Sequence, residues 1–174
     1  MLVHFLRFNM KKKNKVLSII LFIIYLAMLI FFMYECFQDG ASAGKQAGFF
    51  SNIIAKIEEF FTGKEVIITD KYRYYVSKIF GHYGYFVLLG LVSIIFYMSL
   101  KNINIWIRIS LHFGVALIYA FASEFIAEAL TSGRTASIKD VGIDYLGFIT
   151  ISLPYVIAYF TYHYHKKKKE KVEE

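Results

Sequence analysis

The sequence predicts an all-α membrane protein, a bundle of four transmembrane helices with an amphipathic helix on its outer face. Of its 174 residues, 57% are hydrophobic, which exceeds the roughly 45–50% of typical soluble domains. Long apolar runs indicate membrane-spanning segments. The net charge of +7 is concentrated at the two ends, in 11–15 and 165–171, where lysines flank apolar runs. This placement is typical of topology signals rather than of a nucleic-acid surface, so we predict no nucleic-acid partner.

Four segments have about the 17–25 apolar residues that a bilayer requires. They are predicted at 16–37, 75–100, 104–130 and 140–162. These segments must be helical, because lipid offers backbone groups no hydrogen-bond partner. One transmembrane domain, 16–163, then lies between a basic N-terminus, 1–15, and a charged tail, 164–174. The lone Cys36 permits no internal disulfide.

Both ends of the chain are predicted to be cytoplasmic. An even number of spans puts them on one side, and both are rich in lysine, as the positive-inside rule expects of cytoplasmic segments. The first apolar run resembles a signal peptide but exceeds the usual core of roughly 7–15 residues, so we expect an uncleaved first span. The outer side then holds 38–74, the end of the third span, and the starts of the second and fourth.

Within 38–74, the segment 48–61 has an apolar stripe at helical spacing and predicts an amphipathic helix. The stripe comprises Phe49, Phe50, Ile53, Ile54, Ile57, Phe60 and Phe61. Gly63 is the predicted helix end. The helix either lies in the outer bilayer interface or packs over the end of the bundle, and these two alternatives are compatible.

Ionisable residues gather at the predicted outer ends of the spans. Four-residue spacing puts Lys78 and His82 on one helical face, and the same spacing recurs twice in the later spans. The predicted cluster is Lys78, His82, Glu124, Glu128, Arg134, Asp140 and Asp144. A charge at mid-bilayer costs at least about 2.5–3.5 kcal/mol, so such a set indicates a functional site that faces the bundle interior. Gly81 and Gly84 are expected to let another helix approach closely.

Most of these residues also have a structural alternative. Asp140 could cap the fourth span, Lys78 could extend outward to solvent, and His82 could be a satisfied core histidine. Glu128 could be solvated at the interface, and Arg134 could be an interfacial anchor.

Glu124 and Asp144 lie about a turn inside their spans and are the strongest members of the predicted network. The whole network could nevertheless serve only to hold helices together. His112, in the third span, is expected to be a packing histidine.

The sequence resembles the VanZ-like membrane proteins, a family named for an accessory protein of teicoplanin resistance in enterococci. The resemblance covers nearly all of the chain after the first span. The family pattern GRxxSxxDxxxDxxG is matched in full by Gly133, Arg134, Ser137, Asp140, Asp144 and Gly147. The segment 36–46 also resembles the family's polar stretch after its first span.

Two further family patterns are matched in part. In RKxxHxxEY, His82 is retained and Lys78 is the one basic residue at the arginine-lysine pair, whereas Tyr85 and Phe86 stand at the positions of the acid and the tyrosine. In DExxQ, the three named positions hold Glu124, Phe125 and Glu128. These departures imply a divergent site with altered activity.

The resemblance implies a protein of the bacterial cytoplasmic membrane that confers low-level tolerance to teicoplanin-type glycopeptides. Those drugs bind a lipid-linked cell-wall precursor outside the membrane, on the side to which the predicted cluster points. The resemblance does not supply a biochemical mechanism.

Three classes of function therefore stay open. In the binding class, the cluster engages a membrane lipid, a lipid-linked cell-wall precursor or a lipoglycopeptide, with Arg134 and Lys78 on anionic groups. In the enzyme class, His82 with Glu124 or Asp144 performs acid–base chemistry on an envelope lipid. In the third class, a small transporter or scaffold uses the network only for helix packing.

A metal site formed by His82, Glu124, Glu128 and Asp144 is conceivable. The chain has no diagnostic ligand motif, so we predict neither a metal nor another cofactor.

Overall fold

The structure is a computed structural model that describes residues 2–128, 130–133 and 135–173, with side chains at 15–127, 130–133, 135–166 and 168–169. Every regular element in this part of the chain is a helix. The α-helices are α1 (Leu2–Cys36), α2 (Gly40–Thr62), α3 (Asp70–Val76), α4 (Tyr85–Ser99), α5 (Ile105–Ala122) and α6 (Ile138–Glu173). A first π-helical segment, Ser77–Gly84, joins α3 to α4, and a second, Ser123–Glu128, continues α5.

Within the described residues, four helices are long and apolar enough to cross a membrane. They are Lys15–Cys36, Asp70–Ser99, Ile105–Ala127 and Ile138–Lys166. The predicted multi-pass, four-span bundle is therefore confirmed. The second span begins earlier than predicted, at Asp70, because the Thr69 side chain caps the helix by accepting a hydrogen bond from the Tyr72 amide at 3.1 Å.

The core of the bundle is rich in aromatic side chains. Phe32 of α1 stacks on Tyr85, with ring centroids 4.6 Å apart, and meets Phe86 edge to face at 5.2 Å. Phe86 and Phe148 are fully buried. Large apolar side chains on the outer surfaces of the spans stay exposed, as lipid-facing positions require.

Two tyrosine hydroxyls fasten α1 to the rest of the bundle. Tyr85 donates to the carbonyl oxygen of Met28, and Tyr119 donates to that of Leu29. Both tyrosine hydroxyls are therefore used in packing against the α1 backbone.

Close helix packing occurs at glycines other than those predicted. A Cβ added at Gly81 would have one neighbouring atom within 4 Å, Oγ of Ser77 at 3.8 Å, and a Cβ added at Gly84 would contact the backbone of its own helix. The expected close approach of another helix at these two glycines is therefore wrong. The close approaches are at Gly90, where a Cβ would lie 3.0 Å from the Phe148 carbonyl oxygen, and at Gly147, where it would overlap the Tyr83 carbonyl oxygen. The sequence could not reveal this, because several glycines have equivalent helical surroundings.

The amphipathic helix α2 is longer than predicted because it is capped at both ends. Asp39 accepts hydrogen bonds from the Ser42 amide at 2.8 Å and the Ser42 hydroxyl at 3.1 Å, and these bonds lower the pKa of the Asp39 carboxyl. The helix ends at the predicted Gly63, whose φ of 65° is left-handed. Its small residues Ser51 and Ala55 are buried, whereas most of the predicted apolar stripe is exposed, Phe60 at 83%. The helix therefore packs on the rest of the protein through small residues, and most of its apolar stripe is on the exposed surface.

Candidate functional site

Five of the seven predicted site residues converge at one end of the bundle, the end that carries α2. This buried cluster consists of Lys78, His82, Glu124, Asp140 and Asp144. The segment between α5 and α6 lies at the same end, since the Gly40 amide that opens α2 donates to the Ser132 carbonyl oxygen at 3.2 Å.

A histidine with two carboxylates forms the centre of the cluster. The Nδ1 atom of His82 is 3.0 Å from Oδ1 of Asp144 and 3.7 Å from Oε1 of Glu124. Glu124 and Asp144 are both 0% exposed, and His82 is 6% exposed. The amide of Ser137 donates to Oε2 of Glu124 at 3.1 Å, an interaction of the backbone that sequence reasoning missed. One imidazole nitrogen and two carboxylate oxygens are atoms that can hold a divalent metal ion.

An ion pair flanks this centre. The Nζ atom of Lys78 is 2.6 Å from Oδ2 of Asp140 and 3.4 Å from Nε2 of His82. The Lys78 side chain is only 17% exposed, so the outward extension considered above is wrong. Helix α6 begins at Ile138, which places Asp140 in its first turn and not at the cap. The cap role for Asp140 is therefore also wrong, because its carboxylate binds Lys78.

The π-helical segments carry most of the cluster. Lys78 and His82 lie in Ser77–Gly84, and Glu124 opens Ser123–Glu128. A π-helical turn is rare and is frequently found at functional sites, since it rotates side chains away from regular α-helical positions. Sequence reasoning missed both segments, because the spacing of apolar residues does not distinguish a π turn from an α turn.

A groove reaches the cluster from one side. It has a volume of about 410 Å³ and lies between α1, α2 and the helix that starts at α3. Its walls are mainly apolar and include Phe32 and Phe50, whereas Glu35, Gln46 and His82 supply polar atoms. Phe32 also packs edge to face on His82, with ring centroids 6.1 Å apart. Of the buried cluster, His82 is thus the residue that borders the groove, and Glu124 and Asp144 lie behind it.

The remaining predicted positions divide into two groups. Arg134 and the side chain of Glu128 lie outside the described residues. Two positions that depart from the family patterns lie outside the cluster as well, since Phe86 is buried in the core and Phe125 is 47% exposed beside Phe121. The predicted packing role of His112 agrees with its complete burial, in which Nδ1 is 3.0 Å from the hydroxyl of Ser93.

No family model matches the chain, and neither curated proteins nor solved structures yielded a match.

Proposed function

We propose that the protein is a VanZ-like protein of a bacterial cytoplasmic membrane, with both termini cytoplasmic, that binds an envelope lipid or lipid-linked precursor. Its binding would give the cell low-level tolerance to teicoplanin-type glycopeptides. The sequence pattern over 133–147 supports the family, and the lysine-rich ends support the orientation. The groove that ends at His82 is the observation that carries the ligand class.

The dimensions and lining of the groove support an amphiphile. A volume of about 410 Å³ falls within the roughly 300–1,000 Å³ of small-molecule sites. Aromatic walls suit an acyl or prenyl chain. The polar groups of Glu35, Gln46 and His82 can accept hydrogen bonds from the hydroxyl or amine groups of a lipid head.

The exposed stripe of α2 supports binding at the bilayer surface. Phe49, Phe60 and Phe61 are 63%, 83% and 80% exposed, and aromatic side chains favour the interface between lipid heads and chains. Helix α2 would then hold one wall of the groove at the depth of the lipid heads. A lipid could enter without leaving the membrane.

A matched pair of glycine variants tests this proposal. Gly81 lines the groove and has space for a Cβ, whereas Gly114 on α5 has nothing within 4 Å and lies away from the groove. We expect Gly81→Leu to fill the groove and to remove lipid that co-purifies with the wild type in mild detergent. Gly114→Leu should retain that lipid. Native mass spectrometry of the purified proteins measures the difference.

The same pair tests the phenotype in a susceptible Gram-positive host. With equal membrane levels by immunoblot, wild type and Gly114→Leu should raise the teicoplanin minimum inhibitory concentration above empty vector, and Gly81→Leu and Asp144→Asn should not. Lipid retention without any rise would refute the glycopeptide role and leave the lipid site standing. Equal lipid retention by both glycine variants would refute the groove as the site.

The His82–Asp144 contact favours a second candidate, a membrane enzyme that acts on the same lipid. An imidazole held by a carboxylate is the arrangement of a general base, because the carboxylate fixes the tautomer and stabilises the protonated ring. Here Nδ1 of His82 faces Asp144 at 3.0 Å. A change in the head group of envelope lipids on expression of wild type, absent with His82→Gln, would separate this candidate from binding alone.

A further inference from the structure

We propose that His82, Glu124 and Asp144 bind one divalent transition-metal ion, such as Zn²⁺. The three residues come from the first π-helical segment, the second π-helical segment and α6, so the ion would join three spans. Each offers one ligand atom, and these atoms all lie within 4.8 Å of one another. The proposal does not depend on a lipid in the groove.

The distances between the ligand atoms fit a single small ion. Zinc bonds to nitrogen and oxygen of about 2.0–2.2 Å, at tetrahedral angles, place two ligand atoms roughly 3.3–3.6 Å apart. Nδ1 of His82 is 3.0 Å from the Asp144 oxygen and 3.7 Å from the Glu124 oxygen, on either side of that range. The third pair of ligand atoms, on Asp144 and Glu124, also lies within 4.8 Å, so adjustment of the side chains would bring all three to one ion.

The charges of the cluster fit a divalent ion as well. Asp144 is fully buried, and a buried carboxylate is costly unless a positive charge compensates it. The nearby Lys78 has its ammonium 2.6 Å from Asp140. A divalent ion on neutral His82 would place positive charge directly beside Asp144.

Asp144 provides an independent observation. Its Oδ2 atom is buried and has no hydrogen-bond partner among the described residues, although buried carboxylate oxygens are normally paired. Its Oδ1 atom faces His82. A metal ion would bind Nδ1 of the neutral imidazole, whose single proton would then lie on Nε2.

The mixed ligand set indicates the class of metal. Imidazole nitrogen suits zinc, iron and nickel, whereas calcium and magnesium prefer sites built from oxygen atoms. Three protein ligands leave a further position for water or for an anionic oxygen, as in catalytic rather than structural zinc sites. Of the three ligands, His82 is the one that borders the groove.

Zinc titration of the full chain tests the site. The protein would carry a histidine-free affinity tag, be treated with chelator in detergent, and be titrated with Zn²⁺ by calorimetry. We expect one ion to bind per chain. Loss of a residue that merely orients a ligand typically weakens metal binding 10–100-fold, so Glu124→Gln and Asp144→Asn should each raise the Kd by more than about 100-fold.

The tail histidines provide the matched control, because exposed His163 and His165 could bind zinc weakly. The double variant His163→Asn/His165→Asn should still bind one zinc ion with the affinity of the wild type. The proposal is overturned if folded wild type binds no ion, or if binding disappears in the double variant and persists in Glu124→Gln and Asp144→Asn.

A second measurement does not depend on the folding of the carboxylate variants. Co²⁺ added to the chelator-treated double variant should give the visible absorption bands of a tetrahedral or five-coordinate site, and equimolar Zn²⁺ should remove them. The spectrum of hydrated Co²⁺ alone would overturn the proposal.

Discussion

His82 and His112 are both buried histidines on membrane-spanning helices, but their neighbours differ in kind. Nδ1 of His82 faces the carboxylates of Asp144 and Glu124. Nδ1 of His112 faces the hydroxyl of Ser93, and its ring packs on Phe148 with centroids 4.5 Å apart. One histidine lies among charges at the α2 end of the bundle, and the other lies among aromatic rings in its core.

The difference teaches that burial alone does not identify a functional histidine. A neutral imidazole beside a hydroxyl fills a core without any compensating charge. Two buried carboxylates, in contrast, favour a cation or a proton beside them, and of these two histidines it is His82 that adjoins both carboxylates and the groove. The neighbours of each histidine therefore decide its role.

The largest effect should come from replacing each histidine by leucine. His82→Leu leaves two buried carboxylates without their imidazole partner, so we expect the free energy of unfolding to fall by about 3–5 kcal/mol. His112→Leu should cost less than about 1.5 kcal/mol, because an apolar side chain of similar size suits that core. The Ser93 hydroxyl would keep a hydrogen bond, since it also donates to the Gly90 carbonyl oxygen. Unfolding in mixed micelles without added metal measures both. Equal losses would show that the two histidines have the same structural role.

A smaller effect should follow from separating α6 from the second span. Gly147→Ala would place a Cβ against the Tyr83 carbonyl, next to His82, and should cost about 1–3 kcal/mol. Gly142→Ala on the same helix has nothing within 4 Å, so it should be neutral or stabilise by up to about 1 kcal/mol. If Gly147→Ala were as harmless as its control, close packing would not set the His82–Asp144 distance.

The smallest effect should come from Tyr85→Phe. The lost hydroxyl bonds the Met28 carbonyl rather than the cluster, so we expect a loss of about 0.5–1.5 kcal/mol and an unchanged zinc affinity. A micelle unfolding curve and a zinc titration of the same preparation test both parts. A weaker zinc affinity would instead place the Tyr85 hydroxyl in the site.

Much of the fold could be predicted from the sequence. The four spans follow from the length of the apolar runs, because a bilayer requires about twenty apolar residues per helix. Gly63 was predicted as the end of α2 because glycine readily adopts a left-handed conformation. Seven site residues were predicted from the cost of placing charges in lipid, a property that each residue carries by itself, and five of them converge.

Other features could not be predicted, because they depend on contacts between distant segments. Gly147 packs on Tyr83, whereas Gly142 has no close neighbour, although both occupy equivalent helical positions. Lys78 pairs with Asp140, which neither its spacing nor its type indicated. The groove is formed jointly by residues of α1, α2 and the second span, which are far apart in the sequence.

Hydrophobicity and charge are properties of residue type and spacing, so the four helices long and apolar enough to cross a membrane, and the charged residues near one end of them, follow from the sequence alone. Which of those charges meet depends on the tertiary structure. Ion pairing and metal coordination require atoms within a few ångströms, and helix packing, π-helical turns and one close glycine contact set the distances among His82, Glu124 and Asp144.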